Sequence, residues 1–358
     1  MTLNIPPVPS IFTHQQVFNT GLRAGQTSVT VAQDGTGDTD DIQEAVNLIS
    51  SSGGIVFIKE GTYQVDLQFT PENSGIKIST DNTTLIGVGA ATIIKTDGTN
   101  INAIRSTANN LVFRDIKFDG NTSTQKAMWM TGTNIVVSHC FFTDWGNSLL
   151  MGGEHCIVSS CEFDDGGTCI ATDGNFCSIT GNIFKDGGTA ITGGLGDGCS
   201  ITGNIIEGNT TARALSMPGV DQWTVTGNVI YDNSGIGIDN NGGDNCTITG
   251  NTIYSNGSDG IRNTGARNTI SNNACFENTG DGIDVGTSDN NVISGNVCRD
   301  NGAYGITVSN ATADKNILIG NVCLGNTTGQ INDSGTNTHP NGASGTNNLA
   351  LDDLNIIA

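Results

Sequence analysis

The chain is short of charge, of aromatic residues and of proline. Charged residues make up 14% of its 358 positions, aromatics 5%, and there are 6 Pro. Basic residues are the scarcer charged class, with 14 Lys+Arg against 35 Asp+Glu and a formal net charge of −21. That sign excludes a basic nucleic-acid binder. An acidic disordered chain would be rich in Glu, Pro and Lys and poor in Ile and Val, which this one is not. No run approaches the ~20 apolar residues of a membrane span. Residues 1–10 contain no Lys or Arg, and no apolar stretch of ~7–15 residues follows. The expectation is a chain folded in the cytoplasm without a signal peptide, unless a leader has been removed.

What is plentiful is Gly, at 50 copies, together with Asn and 10 Cys. Their placement is periodic. The strings SITGNIF (178–184), SITGNII (200–206), TVTGNVI (224–230), TITGNTI (247–253), TISNNAC (269–275), VISGNVC (292–298) and ILIGNVC (317–323) share one anchor: Asn182, Asn204, Asn228, Asn251, Asn273, Asn296 and Asn321. Successive spacings are 22, 24, 23, 22, 23 and 25 residues. Cys161, Cys140 and Ile116 continue the slot upstream. A leucine-rich repeat has a similar period, but its columns are Leu, and these are Ile, Val, Cys and Asn. Three apolar columns, near three before, two after and ten after the anchor, predict three short strands per coil of a parallel β-helix. Like residues then stack at ~4.8 Å. A second Asn column lies five after the anchor (Asn209, Asn233, Asn256, Asn278, Asn301, Asn326).

The cysteines fall into the same columns. Cys156, Cys177, Cys199 and Cys246 share one slot; Cys275, Cys298 and Cys323 share an apolar one. No CxxC pair occurs. The expectation is a ladder of buried, reduced thiols, which behave as small hydrophobes, in keeping with cytoplasmic folding.

Ahead of the repeats stands VTVAQDGTGDTDDIQEAVNLISSSGGIVFIKEGTYQV (29–65). Asp38 or Thr39 can cap a helix over about 39–51 whose apolar stripe is Ile42, Ala45, Val46 and Ile49. A solenoid needs its open end covered, and such a helix does that. The elements Asp34-Gly35, Asp40-Asp41, Ile42-Gln43-Glu44-Ala45, Gly53-Gly54-Ile55-Val56 and Gly61-Thr62-Tyr63 resemble the opening of the pectate-lyase-like superfamily of right-handed parallel β-helices. The resemblance covers roughly 29–335. It implies an all-β, single-stranded right-handed parallel β-helix with an N-terminal helix cap. Residues 1–28 are then an arm and 336–358 a tail. The family contains polysaccharide lyases, glycoside hydrolases, uronan epimerases and phage tailspikes, so the resemblance identifies the fold more sharply than the reaction.

Candidate chemistry comes from stacking. The outward position after the third apolar column holds Thr192, Ser216, Asp239, Arg262, Asp284 and Thr307. Asp239 and Asp284 are two rungs apart, ~9.5 Å from the rise, with Arg262 between. Inverting glycosidases hold their carboxyls ~6.5–9.5 Å apart; a solvated Asp-Arg-Asp ladder has the same appearance. The string NTGDGID (278–284) resembles part of the polygalacturonase signature, with Asp281 and Asp284 as its acids, but the family's other elements are missing. On the early coils His139 shares a slot with Asp115. Lys117, Glu162, Asp144, His155, Asp164 and Asp165 lie nearby, and Trp129, Trp145 and Met151 map near this end as sugar-stacking candidates. A column of Glu154, Asp197, Asp221, Asp244, Asp289 and Asp314 reads either as acids accepting turn N–H bonds or as a line of Ca²⁺ sites; no other cofactor is called for.

Three functions follow from this reading. The first is a carbohydrate-binding or polysaccharide-degrading β-helix of tailspike type, a lyase or glycoside hydrolase if it turns over. The second is a non-catalytic subunit of an extracellular or viral fibre or filament. The third is a secreted lyase, hydrolase or epimerase without its leader. The partner expected is a polysaccharide, a neutral glycan being favoured by the negative surface. By resemblance a homo-oligomer, a trimer or a filament, is implied, working on a virion or outside the cell.

Overall fold

The computed structural model describes residues 25–71, 73–97, 100–336, 338 and 355–357. Most of the arm (1–24) and most of the tail therefore lie outside the described residues. The chain winds into about 13 coils, each carrying up to three strands that pair in parallel with their counterparts one coil away. The first face runs from Ser28–Val31 and Gly54–Ile58 to Ile317–Ile319. The second runs from Gly61–Val65 to Val322–Leu324. The third runs from Ser74–Ile78 to Gly329–Asp333. Pairing is in register, Ile179↔Ile201↔Val225↔Ile248↔Ile270 on the first face being representative.

The register follows from what points inward. On the second face Phe118, Phe142, Phe163 and Phe184 stack with ring centroids 5.1, 4.8 and 4.9 Å apart. On the third, Ile170, Ile191, Leu215, Ile238, Ile261, Ile283 and Ile306 are fully buried. The bend between first and second faces is a Gly-Asn pair. Its glycine has a left-handed φ, +63° at Gly203 and +64° at Gly227 and Gly250, which a residue without Cβ adopts freely. The Asn that follows turns inward. Asn228 Oδ1 accepts from Asn204 N and Nδ2 at 2.9 and 3.0 Å, and Asn228 Nδ2 donates to Ile201 O at 3.0 Å. The same bonds link Asn182 through Asn321. The second column repeats them from Asn209 to Asn326. A third ladder was not foreseen: the Cys246 slot continues as Asn268, Asn291 and Asn316.

The N-terminal helix, α1 (Ile42–Leu48), is capped by Asp41, whose carboxylate accepts from Glu44 N at 2.7 Å. The expected caps, Asp38 and Thr39, do other work. Asp38 Oδ2 accepts from Thr30 N at 2.8 Å, and the Thr39 hydroxyl donates to Glu44. Ile42, Ala45, Val46 and Ile49 join the core as the stripe predicts. At the other end Ile356–Ile357 pair in parallel with the Val322–Leu324 strand. Asn355 Oδ1 there accepts from Asn321 N at 2.8 Å and Asn321 Nδ2 at 3.0 Å, so Asn355 supplies the rung after Asn321 in the first Asn ladder. All ten cysteines are buried free thiols. Among the described residues no helix is long and apolar enough to cross a membrane.

Replacing Asn251 by Ala strands Asn228 N–H inside the core and removes the side-chain donor to Val225 O and one acceptor of Asn228 Nδ2, while Asn273 Oδ1 keeps its bond from the backbone N of residue 251. At ~1–3 kcal/mol for each orphaned buried group, Asn251→Ala should lose about 3–5 kcal/mol in urea unfolding. Thr249→Ala, one step away on the surface, should change stability by less than about 0.5 kcal/mol.

Candidate functional site

The predicted Asp239–Arg262–Asp284 column exists, with Ser216↔Asp239, Asp239↔Arg262 and Arg262↔Asp284 in register. Its members are not alike. Asp239 is fully buried. Arg262 clasps it with two bonds, Nε to Oδ1 and Nη2 to Oδ2, both 2.9 Å. Arg213, from the coil below, lies with Nε against Oδ2 in an ion pair, though without an aligned N–H···O bond. A carboxylate shared by two guanidinium groups and shut off from water holds Arg262 in place. It is not free to attack a substrate.

The accessible acids lie around it. Asp259 and Asp281 sit two residues before the buried Ile of their coils, and Asp284 one after. Asp281 N donates to Asp259 Oδ1 at 2.9 Å, and Asp281 Oδ1 accepts from Tyr304 N at 2.7 Å. Asp284 Oδ1 accepts from Gly286 N at 2.8 Å. Each carboxylate therefore has one oxygen tied to the backbone. Burial pushes the Asp281 carboxyl up to about 6, helped by the charges of Asp259 and Asp284. Burial also raises Asp259 and Asp284, opposed by turn N–H bonds and by Arg262. Three acids that resist ionisation beside one fixed cation is an arrangement suited to proton transfer. Asp259 was visible in the sequence only as part of an ordinary turn.

The early-coil candidates separate. Trp145 and Met151, expected to stack on sugar, are corrected to core residues, 2% and 1% exposed, with Trp145 Nε1 donating to Phe118 O at 3.2 Å. Trp129 is half-buried on the third face, with Arg105 Cζ 4.2 Å and Lys126 Nζ 4.9 Å from a ring centroid. His139 is an exposed bend residue with φ +52°, and its N donates to Ser159 O at 3.2 Å. Beside this bend the second face carries a groove of about 560 Å³ lined by Lys117, Asp119, Thr143, Asp144, Asp164, Asp165 and Asp186. An adjoining hollow is lined by Ala90, Phe141 and Glu162. Asp119 is paired with Lys95 at 2.9 Å and Glu162 with Lys185 at 2.8 Å. Burial and neighbouring acids, Asp186 first, raise Asp164.

The long acidic column is a turn ladder. Asp221 N donates to Asp197 Oδ1, Asp244 N to Asp221 Oδ1 and Ala266 N to Asp244 Oδ1, at 2.7–2.8 Å. Among the described residues no three His, Cys, Asp or Glu side chains converge as a metal site requires.

Two family models match. Residues 195–348 match the right-handed β-helix region, and residues 48–253 match periplasmic copper-binding protein (NosD). No curated protein sequence matches the chain. Solved structures similar in fold include two epimerases and a tailspike. The A-module of mannuronan C-5 epimerase AlgE6 from Azotobacter vinelandii is 17% identical, with 84% of this chain and 94% of that one covered and a TM-score of 0.58. The periplasmic alginate epimerase AlgG is 14% identical, with 94% and 99% covered and a TM-score of 0.61. The Dettilon tailspike protein is 16% identical, with 86% and 69% covered and a TM-score of 0.62.

Copper takes thiolate, thioether or imidazole donors converging in a set. Among the described residues no three His, Cys, Asp or Glu side chains form such a set, and His139 and His155 lie on bends of separate coils. The described residues do not fit that metal. The NosD model spans well over half of the chain, so the protein belongs to the NosD family and has the right-handed parallel β-helix fold.

Proposed function

We propose that this protein binds a polysaccharide along its coils and cleaves it with the carboxyl groups of Asp281 and Asp284 beside Arg262. The observation that carries this reading is the Asp281 carboxyl, raised to about 6 next to two further raised acids and an arginine fixed by a buried partner. In this scheme Asp281 holds a proton on the acid side of neutrality, below about pH 6, and delivers it to the leaving oxygen. Asp284, its charge offset by Arg262, activates water or accepts a proton from the sugar. Asp239 is a positioning residue. Structural neighbours named for mannuronan, alginate and tailspikes support a glycan as partner. Periplasmic and tailspike names among them support work outside the cytoplasm.

The net charge of −21 favours a neutral glycan, or an acidic one with bridging cations such as Ca²⁺. Polymer charge is therefore the first variable of a test panel. A second reading rests on the groove at Lys117 and Asp164: it is concave and polar, as a glycan subsite is, and it would serve binding without turnover.

A panel of neutral and acidic polysaccharides should show release of reducing ends, or of unsaturated ends absorbing in the ultraviolet. Asp281→Asn and Asp284→Asn should each lower kcat by about 10²–10⁴-fold with polymer binding retained. Unchanged rates in both variants would remove this site. Loss of binding, not of rate, in Lys117→Ala and Asp164→Asn is the result expected of the groove reading.

Stability gives a check that needs no substrate. A carboxyl raised by folding adds stability below its unfolded pKa, ~3.9, and loses it as pH rises through its folded value, about 6 for Asp281. Asp281→Asn should therefore gain on the wild type in unfolding midpoint between pH 4 and pH 7. A constant difference across that range contradicts the assignment.

A further inference from the structure

The second face changes character along its length. Its N-terminal coils carry the ionic groove. Further on, one outward column is Ile205, Val229, Thr252, Ala274 and Val297. The column beside it is Glu207, Tyr231, Tyr254, Phe276 and Arg299, in register throughout. Tyr231, Tyr254 and Phe276 stack with centroids 5.0 and 4.9 Å apart and planes within 2° and 4° of parallel. Arg299 Cζ lies 4.5 Å from the Phe276 ring centroid, and the Tyr231 hydroxyl donates to Glu207 at the other end. Both faces of the central rings are therefore covered from rung to rung, and only ring edges reach solvent. A sugar needs a ring face; a flat strip of ring edges and aliphatic side chains suits another protein surface. Ile205 and Val297, at opposite ends of the strip, are 38% and 37% exposed.

We propose that this strip is where two copies of the chain pair side by side with their axes antiparallel. The argument is the order of charges. Glu207 and Arg299 each lie two rungs from Tyr254, on opposite sides. Turning a second copy end for end about the Tyr254 rung sets Glu207 against Arg299 at both ends of the contact. It also sets Ile205 against Val297, and Val229 against Ala274 across a Thr252 centre. The surface is thus self-complementary, as an isologous contact requires. A parallel pair in register would bring Glu207 to Glu207 and Arg299 to Arg299, and like charges set opposite each other destabilise. The same rotation sets Asp232 against Glu277 on the adjoining bend; both are exposed and lie at the rim, where salt screens them. The strip rises four rung steps, ~19 Å, and is one strand wide. That is well below the ~800 Å² per partner of a standard interface, so the association is weak and concentration-dependent. The groove around Lys117 lies on coils N-terminal to the strip.

Sedimentation velocity of the full chain over a range of concentrations tests this. The expected result is a monomer–dimer equilibrium whose dissociation constant rises at least tenfold in Glu207→Arg and in Arg299→Glu, with circular dichroism unchanged. The Glu207→Arg/Arg299→Glu double variant should recover wild-type dimerisation. An equimolar mixture of the two single variants should form a heterodimer more readily than either self-associates. A monomer at all concentrations, a trimer, or a double variant as weak as the single ones overturns the antiparallel pairing.

Discussion

Everything in this molecule depends on a buried amide that must find its partners one coil away. An Asn side chain out of water has two donors and an acceptor to satisfy. Here the rung above supplies some partners and the backbone of the rung below supplies the others. A coil shifted by one residue would lose all of these bonds together. Apolar columns alone would tolerate slippage, since Ile, Val and Leu substitute for one another in a core at modest cost. The amide ladders make the register unique, and the register aligns every outward column from which a site could be built.

Charge is distributed under the same constraint. Identical slots recur every ~4.8 Å, so acids placed in one slot repel along the axis unless something is interleaved. Two solutions coexist. In the Asp197–Asp221–Asp244 turn ladder each carboxylate accepts an N–H from the next turn. In the third-face column an arginine is inserted between acids, and a second arginine reaches up from the coil below. The Asp259, Asp281 and Asp284 carboxyls receive only one backbone bond each, and only Asp259 and Asp284 share the Arg262 cation. They are left with raised affinity for protons.

Most of the architecture was legible because the periodicity is strict. Column membership read from the anchor agrees with the observed pairing from Ile179 to Leu318. The site was less legible, for two reasons. Trp145 stands five after the Cys140 anchor, the slot that later holds Asn209 and Asn233, and so points inward; its size suggested a sugar platform where its column required packing. Asp239 was assigned to an outward column, which is right, but its carboxylate is also met by Arg213, which lies one coil lower and off that column. Side-chain reach across columns is not periodic, so no repeat pattern reveals it. The helix cap missed by two or three residues because Asp38, Thr39 and Asp41 are all competent, and tertiary bonds to Thr30 and Glu44 decide among them.

Asn355 is joined to the last coil by space, not by sequence period: it follows Asn321 by 34 residues where the other rungs follow at 22–25. The ladder accepts it because every junction along the axis presents the same two donors. A segment that recognises only that generic junction does not depend on which coil precedes it. Whole coils can then be gained or lost between the N-terminal helix and Asn355 without redesigning either. The length of such a protein is free to change in units of one turn, carrying any surface column closer to or further from its neighbours by the same fixed increment.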